Sequence, residues 1–239
     1  MQHTKVNQAR FFGARNKLYI NAYLFGPDFI RQVAEEIGID IQLISGTEEA
    51  RLIHLGVLQA VEFTADRFLI MDIGGGSVEF IIADKQEVYW SQSFPIGVAV
   101  LFRAFHQEEP IPAEAVTKLT NYLKTTLAPL SGALAAHPAH VLVGASGTFD
   151  VLESILPEVA RFSKYARVPL DGFPAFYQQM LGAGLSERLA IEGIPPARAE
   201  MLVVALVLIH VVIELAQVQE LCVSAYAMKE GMLYEMMQS

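Results

Sequence analysis

The stretch FLIMDIGGGSVEFIIAD, Phe68 to Asp84, decides the fold. FLIMDI is a continuous apolar run, VEFIIAD alternates Val78, Phe80 and Ile82 on one face, and four small residues separate them. This pattern predicts a hairpin. Its first strand ends in Asp72, and Gly74, Gly75 and Gly76 follow. Glycine loses more backbone freedom on folding than any other residue, so a row of three needs a cause. One reading is a phosphate loop, in which bare N–H groups approach an anion, Ser77 adds a hydroxyl and Asp72 holds Mg²⁺ directly or through water. The other is a tight turn capped by its own aspartate.

Downstream, EVYWSQSF predicts a third strand, and Gly97 to Phe105 and Pro112 to Leu130 predict helices. HVLVGASGTFDVLESIL then repeats the grammar of apolar strand, glycine loop and helix. In that second loop Gly144, Ser146, Gly147 and Thr148 stand at a helix mouth, where unsatisfied N–H groups and the helix dipole favour an anion. An ordinary connection with a Ser or Thr N-cap has the same spelling. Residues 157–171 read as irregular. Helices are expected over 173–183, 186–192 and 197–216, then a strand at ELCVS and a helix in AYAMKEGMLYEMM.

Upstream, GPDFIRQVAEEIG predicts a helix with Pro27 in its first turn and Gly38 as its stop. IDIQLIS predicts a strand, and Ser45 with Glu48 predicts a capping box opening the helix TEEARLIHLGVLQAVEF. The first 25 residues have no clean period and stay unassigned. Strands alternating with helices, plus one antiparallel meander, indicate an α/β fold.

The adjacent carboxylates Glu48 and Glu49 diverge by about 100° on a helix, so they cannot face one site together. Glu49 shares a face with Ile53 and Gly56, toward packed surface. A partly desolvated carboxylate suits a general base that activates water. An acidic residue in a first helical turn also complements the dipole without any chemistry.

Composition narrows the classes. The net charge of −9 and the isoelectric point near 5.1 disfavour general attachment to nucleic acid or to an anionic membrane. An anion site here must be local. The 53% hydrophobic content is spread over segments broken by Gly, Pro and charge. MLVVALVLIHVVI, Met201 to Ile213, is shorter than the about 20 residues that a membrane span needs, so it predicts a buried core helix. Cys222 in ELCVSAYAM reads as a small buried hydrophobe. No signal-peptide order is found at the N-terminus, so a cytoplasmic chain is expected. The six histidines lack paired metal-ligand spacing, and no G-x-S-x-G or G-x-x-x-x-G-K-[ST] motif occurs. Zinc hydrolase, α/β-hydrolase and P-loop classes are thereby set aside.

Taken in order, IDIQLISGTEEARLIHLGVLQAV, FLIMDIGGGSVEFII, SFPIGVAVLF, VGASGTFDVLESIL, RAEMLVVALVLIHVVIEL and ELCVSAYAMKEGMLYEMM resemble the exopolyphosphatase and guanosine pentaphosphate phosphatase (Ppx/GppA) family. The resemblance runs from about Asp28 onward. It implies an actin-like, ribonuclease H-like, two-lobed α/β fold. Residues 1–65 would be a partial first lobe carrying the catalytic glutamate, and residues 66–239 a second lobe with the phosphate loops and C-terminal helices. It also implies Mg²⁺-dependent hydrolysis of the terminal phosphoanhydride of inorganic polyphosphate or of guanosine pentaphosphate.

In the family's E-E-A-R motif the second glutamate is the proposed base, which matches Glu49. The glycine-loop aspartate matches Asp72, the loop matches Gly74, Gly75, Gly76 and Ser77, and the following glutamate matches Glu79, a helper to metal or water. Departures are specific. No D-x-G-S-N-[ST] loop precedes Asp28, so an incomplete first lobe is expected. FFGARN stands for the usual T-S-A-x-R, with Arg10 or Arg15 replacing its arginine. The second loop reads G-A-S-G-T for G-T-G-G-T, and Ala225 replaces an aspartate. A non-catalytic polyphosphate or alarmone sensor and an actin-like ATPase or kinase are the alternatives. The apolar C-terminal helices leave open packing within the chain or a homodimer.

Overall fold

The computed structural model describes residues 13–14, 17–21, 27–38, 40–63 and 65–238. A three-stranded sheet joins β1 (Gly13–Ala14), β2 (Lys17–Asn21) and β3 (Asp40–Ile44), with β1 antiparallel and β3 parallel to β2. Between β2 and β3 runs α1 (Pro27–Ile37), stopped as expected by Gly38, which takes φ +70°. The chain then enters α2 (Gly46–Leu58).

Next come the hairpin strands β4 (Phe68–Ile73) and β5 (Val78–Ala83), followed by β6 (Val88–Phe94). Three helices follow: α3 (Val98–Phe105), α4 (Ala113–Thr126) and α5 (Ala128–Ala136). The second strand-to-helix unit is β7 (Val141–Gly144) and α6 (Gly147–Ile155). After it lie β8 (Ala160–Arg161), β9 (Tyr165–Val168), α7 (Phe173–Gly182), α8 (Leu185–Ala190) and α9 (Pro196–Ala199). Last are α10 (Leu202–Ala216), β10 (Glu220–Ser224) and α11 (Met228–Gln238).

The seven-stranded sheet has the order β6-β5-β4-β7-β10-β9-β8. β4, β7 and β10 are parallel neighbours, while the β4–β5–β6 meander and the β8–β9–β10 side are antiparallel. Because side chains alternate along a strand, the sheet builds two cores. Leu69, Met71, Phe80 and Ile82 face one core, completed by α10; Phe68, Ile70, Ile81 and Cys222 face the other, completed by α2 and α11. Val78 to Ala83 are buried throughout, so β5 is covered on both faces and is not half-solvated as alternation alone would allow. α10 is buried along Leu202 to Ile209, inside the chain. No helix among the described residues is long and apolar enough to cross a membrane.

One crossing fixes α2 against the second core. A Cβ on Gly56 would collide with the carbonyl oxygen of Ala227, and one on Gly231 with that of Leu52. The two glycines thus let α2 and α11 approach backbone to backbone.

Several expected boundaries differ. The helix opened at Ser45 ends at Leu58 instead of Phe63. The helix expected over 112–130 breaks at Leu127, because Pro129 has no N–H to continue the ladder and starts α5 instead. The region 157–171, read as irregular, contains β8 and β9; β9 gains its ladder only from β10, a distant partner. The helix expected over 197–216 is two helices, α9 and α10, with Met201 between them at φ −99°, ψ 3°.

Candidate active site

Both glycine loops lie at the C-terminal ends of parallel neighbours, where open α/β sheets place ligands. Met71 pairs with Gly144 across β4 and β7. The Ala145 N–H donates to the Met71 carbonyl at 3.1 Å, and the Ile73 N–H donates to Ser146 Oγ at 3.3 Å. Ser146 is the N-cap of α6 by position, yet its hydroxyl serves this link and caps nothing in its own helix.

In the first loop, the Gly74 N–H closes the turn onto the Ser77 carbonyl at 2.9 Å. The carbonyls of Gly76, Gly74 and Gly75 accept from the N–H groups of Gly97, Val98 and Ala99, at 3.2, 3.0 and 3.0 Å. The loop's oxygens therefore cap α3. A Cβ on Gly97 would run into the Gly75–Gly76 backbone, so Gly97 is required for this docking. The N–H groups of Gly75 and Gly76 find no acceptor among the described residues, and a Cβ at either position would meet open space. Here glycine is demanded neither by crowding nor by a positive φ. What these two residues offer is uncovered backbone.

Beside that loop sit the carboxylates. Asp72 and Glu79 are buried and directly paired across β4 and β5. Ser77 Oγ donates to Glu79 Oε1 at 2.6 Å, and Ser93 Oγ donates to the same oxygen at 3.0 Å. Burial first, then the charges of Glu49 and Asp72, push the Glu79 carboxyl up to about 7, against the two serine bonds. Glu49, half-buried in the first turn of α2, is one of the charges that raise Glu79. Half of the expected capping box forms: Ser45 Oγ accepts from the Glu48 N–H at 3.1 Å. The Glu48 carboxylate instead turns outward to Arg51, at 2.8 and 2.7 Å, and Arg51 continues to Glu235 at 2.6 Å. The two glutamates diverge as helical geometry requires, Glu49 inward and Glu48 outward.

The second loop is built differently. Gly144 is glycine because the ring of Phe149 occupies the space of its Cβ. At Gly147 the Arg198 guanidinium, the far end of a flexible side chain, lies where a Cβ would be. The N–H groups of Gly147 and Thr148 find no acceptor among the described residues, and Thr148 is buried. Gly75, Gly76, Thr148, Arg103 and Arg198 all line one cleft of about 250 Å³, walled by α3 on one side and by α9 and α10 on the other. Ser93, Gly97, Arg103 and Arg198 were not singled out by pattern, since each has the spelling of an ordinary turn or solvated charge. Arg10 and Arg15 lie outside the described residues. Ala225 offers no side-chain polar group; its N–H donates to the Lys164 carbonyl at 2.9 Å. Cys222 is buried, with its thiol pushed up to about 12 by burial, and takes no part.

Among the described residues no group of three or more His, Cys, Asp or Glu side chains is gathered as a ready metal cage. The donor set still suits Mg²⁺, which prefers one or two carboxylates completed by water and phosphate oxygens. Burial, then neighbouring negative charge, raise Glu79, a condition that a bound cation would relieve.

Residues 26–239 match the model of the Ppx/GppA phosphatase family. An exopolyphosphatase from Cytophaga hutchinsonii is 38% identical over 88% of this chain and 70% of its own, with a TM-score of 0.81. The Ppx/GppA enzyme of Aquifex aeolicus shares the fold at 21% identity, over 87% of this chain and 69% of its own, with a TM-score of 0.75.

Proposed function

This chain belongs to the Ppx/GppA phosphatase family, and from that premise we propose that it hydrolyses the terminal phosphoanhydride of inorganic polyphosphate, with guanosine pentaphosphate as the second substrate to test. The reading rests on one observation: Gly75 and Gly76 leave their backbone N–H groups uncovered, next to the buried carboxylates of Asp72 and Glu79 and in one cleft with Thr148 and Arg198. An anionic chain end would enter between the loops. The N–H groups of Gly75, Gly76, Gly147 and Thr148 and the Arg198 guanidinium supply positive ends for its oxygens.

Glu49 then accepts a proton from a water aimed at the terminal phosphorus. The new P–O bond forms as the bridging P–O bond breaks, releasing phosphate and a chain one unit shorter. Because the transition state carries its charge on the equatorial oxygens, donors fixed in advance lower the barrier. Ser77 and Ser93 both bond Oε1 of Glu79 and so fix the carboxyl's orientation. Asp72 and Glu79 would hold Mg²⁺, which when bound neutralises phosphate charge.

Replacing Glu49 with Gln tests the assignment. Loss of a general base costs about 10²–10⁴-fold in turnover, so Glu49→Gln should nearly abolish phosphate release from polyphosphate with its binding largely intact. Unchanged turnover sinks the mechanism. Tight wild-type binding with no release under Mg²⁺ would mark a sensor, and ATP turnover exceeding polyphosphate turnover would mark an ATPase.

A further inference from the structure

Arg188, in α8, is a fully buried cation at 0% exposure. Its guanidinium forks onto Glu109, Nη1 donating to Oε2 at 2.9 Å and Nη2 to Oε1 at 2.5 Å. Two more bonds reach main chain, from Nη1 to the Ala183 carbonyl at 2.6 Å and from Nε to the Ala199 carbonyl at 2.8 Å. These anchors come from three places. Glu109 lies in the loop leaving α3, Ala183 caps α7, and Ala199 ends α9. His106, the C-cap of α3, brings Nε2 to 3.3 Å from Glu109 Oε1, and burial lowers its pKa, so Arg188 is the cation that balances Glu109.

Stability is a weak reason to bury such a pair, because desolvating both charges offsets much of their attraction. A forked guanidinium–carboxylate pair contributes defined geometry. Here the geometry at stake is that of α9. With four residues and no side-chain cap, that helix has little hold of its own. It carries Arg198, the residue immediately before Ala199, into the cleft over Gly147. The facing wall is α3, bonded to the first loop at its start and leading through His106 toward Glu109 at its end.

We propose that Arg188 and Glu109 are positioning residues for the phosphate site: their forked pair ties α9 to the base of α3 and so sets where Arg198 presents its charge to the substrate. The inference rests on the reading of the cleft as a phosphate site.

Calorimetry with a methylene-bridged tripolyphosphate and Mg²⁺ tests it without turnover. Four proteins are compared: wild type, Glu109→Gln, Arg198→Ala and the double variant. The Glu109 side chain is 34% exposed and glutamine keeps one acceptor, so the fold is expected to persist. If Glu109 acts through Arg198, Glu109→Gln weakens binding about tenfold alone but less than about twofold once Arg198 is alanine, the non-additivity of residues in one network. Arg188→Lys, which keeps charge but loses the fork, should show the same dependence. Equal losses in both backgrounds, or none in either, overturn the positioning role while leaving the phosphate site standing. A wild type that does not bind the analogue overturns the phosphate-site reading, and this inference with it.

Discussion

At Gly75 and Gly76 an added Cβ would stand in open space, whereas at Gly144 it would enter the Phe149 ring and at Gly147 the Arg198 guanidinium. Two loops of similar spelling thus keep glycine for different ends. The first leaves backbone uncovered; the second makes room for other side chains. Their electrostatic company differs as well. The buried carboxylates of Asp72 and Glu79 stand beside the first loop, while the second carries a guanidinium. Under the proposed function a phosphate chain would meet N–H groups of both loops, with a cation offsetting the carboxylates beside the first.

That asymmetry can be broken in four ways. Chelating divalent cations should lower phosphate release by about 10³-fold, the size of a metal's charge stabilisation, while weaker binding persists through the second loop; equal release with and without chelator would remove the cation from the first.

The Glu79 carboxyl gives the next effect. Its folded value is about 7 against an ordinary 4.5, so the folded protein holds this proton more tightly than the unfolded chain. Stability should therefore fall as pH rises from about 4.5 through about 7 in metal-free buffer. Glu79→Gln removes that slope, and should match wild type near pH 4 but exceed it at pH 8 by about 3 kcal/mol. Urea titrations at both pH values read this directly, and parallel curves would deny the charge crowding.

The last two variants oppose each other. Gly144→Ala must displace Phe149 and should cost about 2 kcal/mol of stability, with little change in affinity for the tripolyphosphate analogue. Gly76→Ala should stay within about 0.5 kcal/mol of wild type yet weaken that affinity. Thermal melts and calorimetry on the pair would erase the distinction if both lost stability alike.

Local signals were readable in the chain and distant ones were not. The β4–β5 hairpin shows in its apolar run and alternation, and the start of α2 shows in Ser45. The end of α2 was overrun because Ala60, Val61 and Phe63 are buried beyond the helix and keep its apolar character. β9 was invisible because its ladder exists only beside β10. In the site, Gly75 and Gly76 were legible since their conformational cost is local. Arg198 was not, since its meaning depends on Gly147, brought close by tertiary packing. Ser93 and Gly97 were likewise obscure, because Glu79 and the first loop reach them only through the meander and the docking of α3.

The glycine crossing of α2 and α11 bears on the order in which this molecule becomes competent. α2 carries Glu49, yet its close seat is the backbone of α11, which is synthesised long after both glycine loops. Domains begin to fold as the chain emerges, and contacts between distant segments form late. A nascent chain that has completed α10 still lacks β10, the strand between β7 and β9, and nothing yet pins the helix of Glu49 at Gly231. If the proposed function holds, seating the Glu49 helix against α11 is among the last steps in assembling its site.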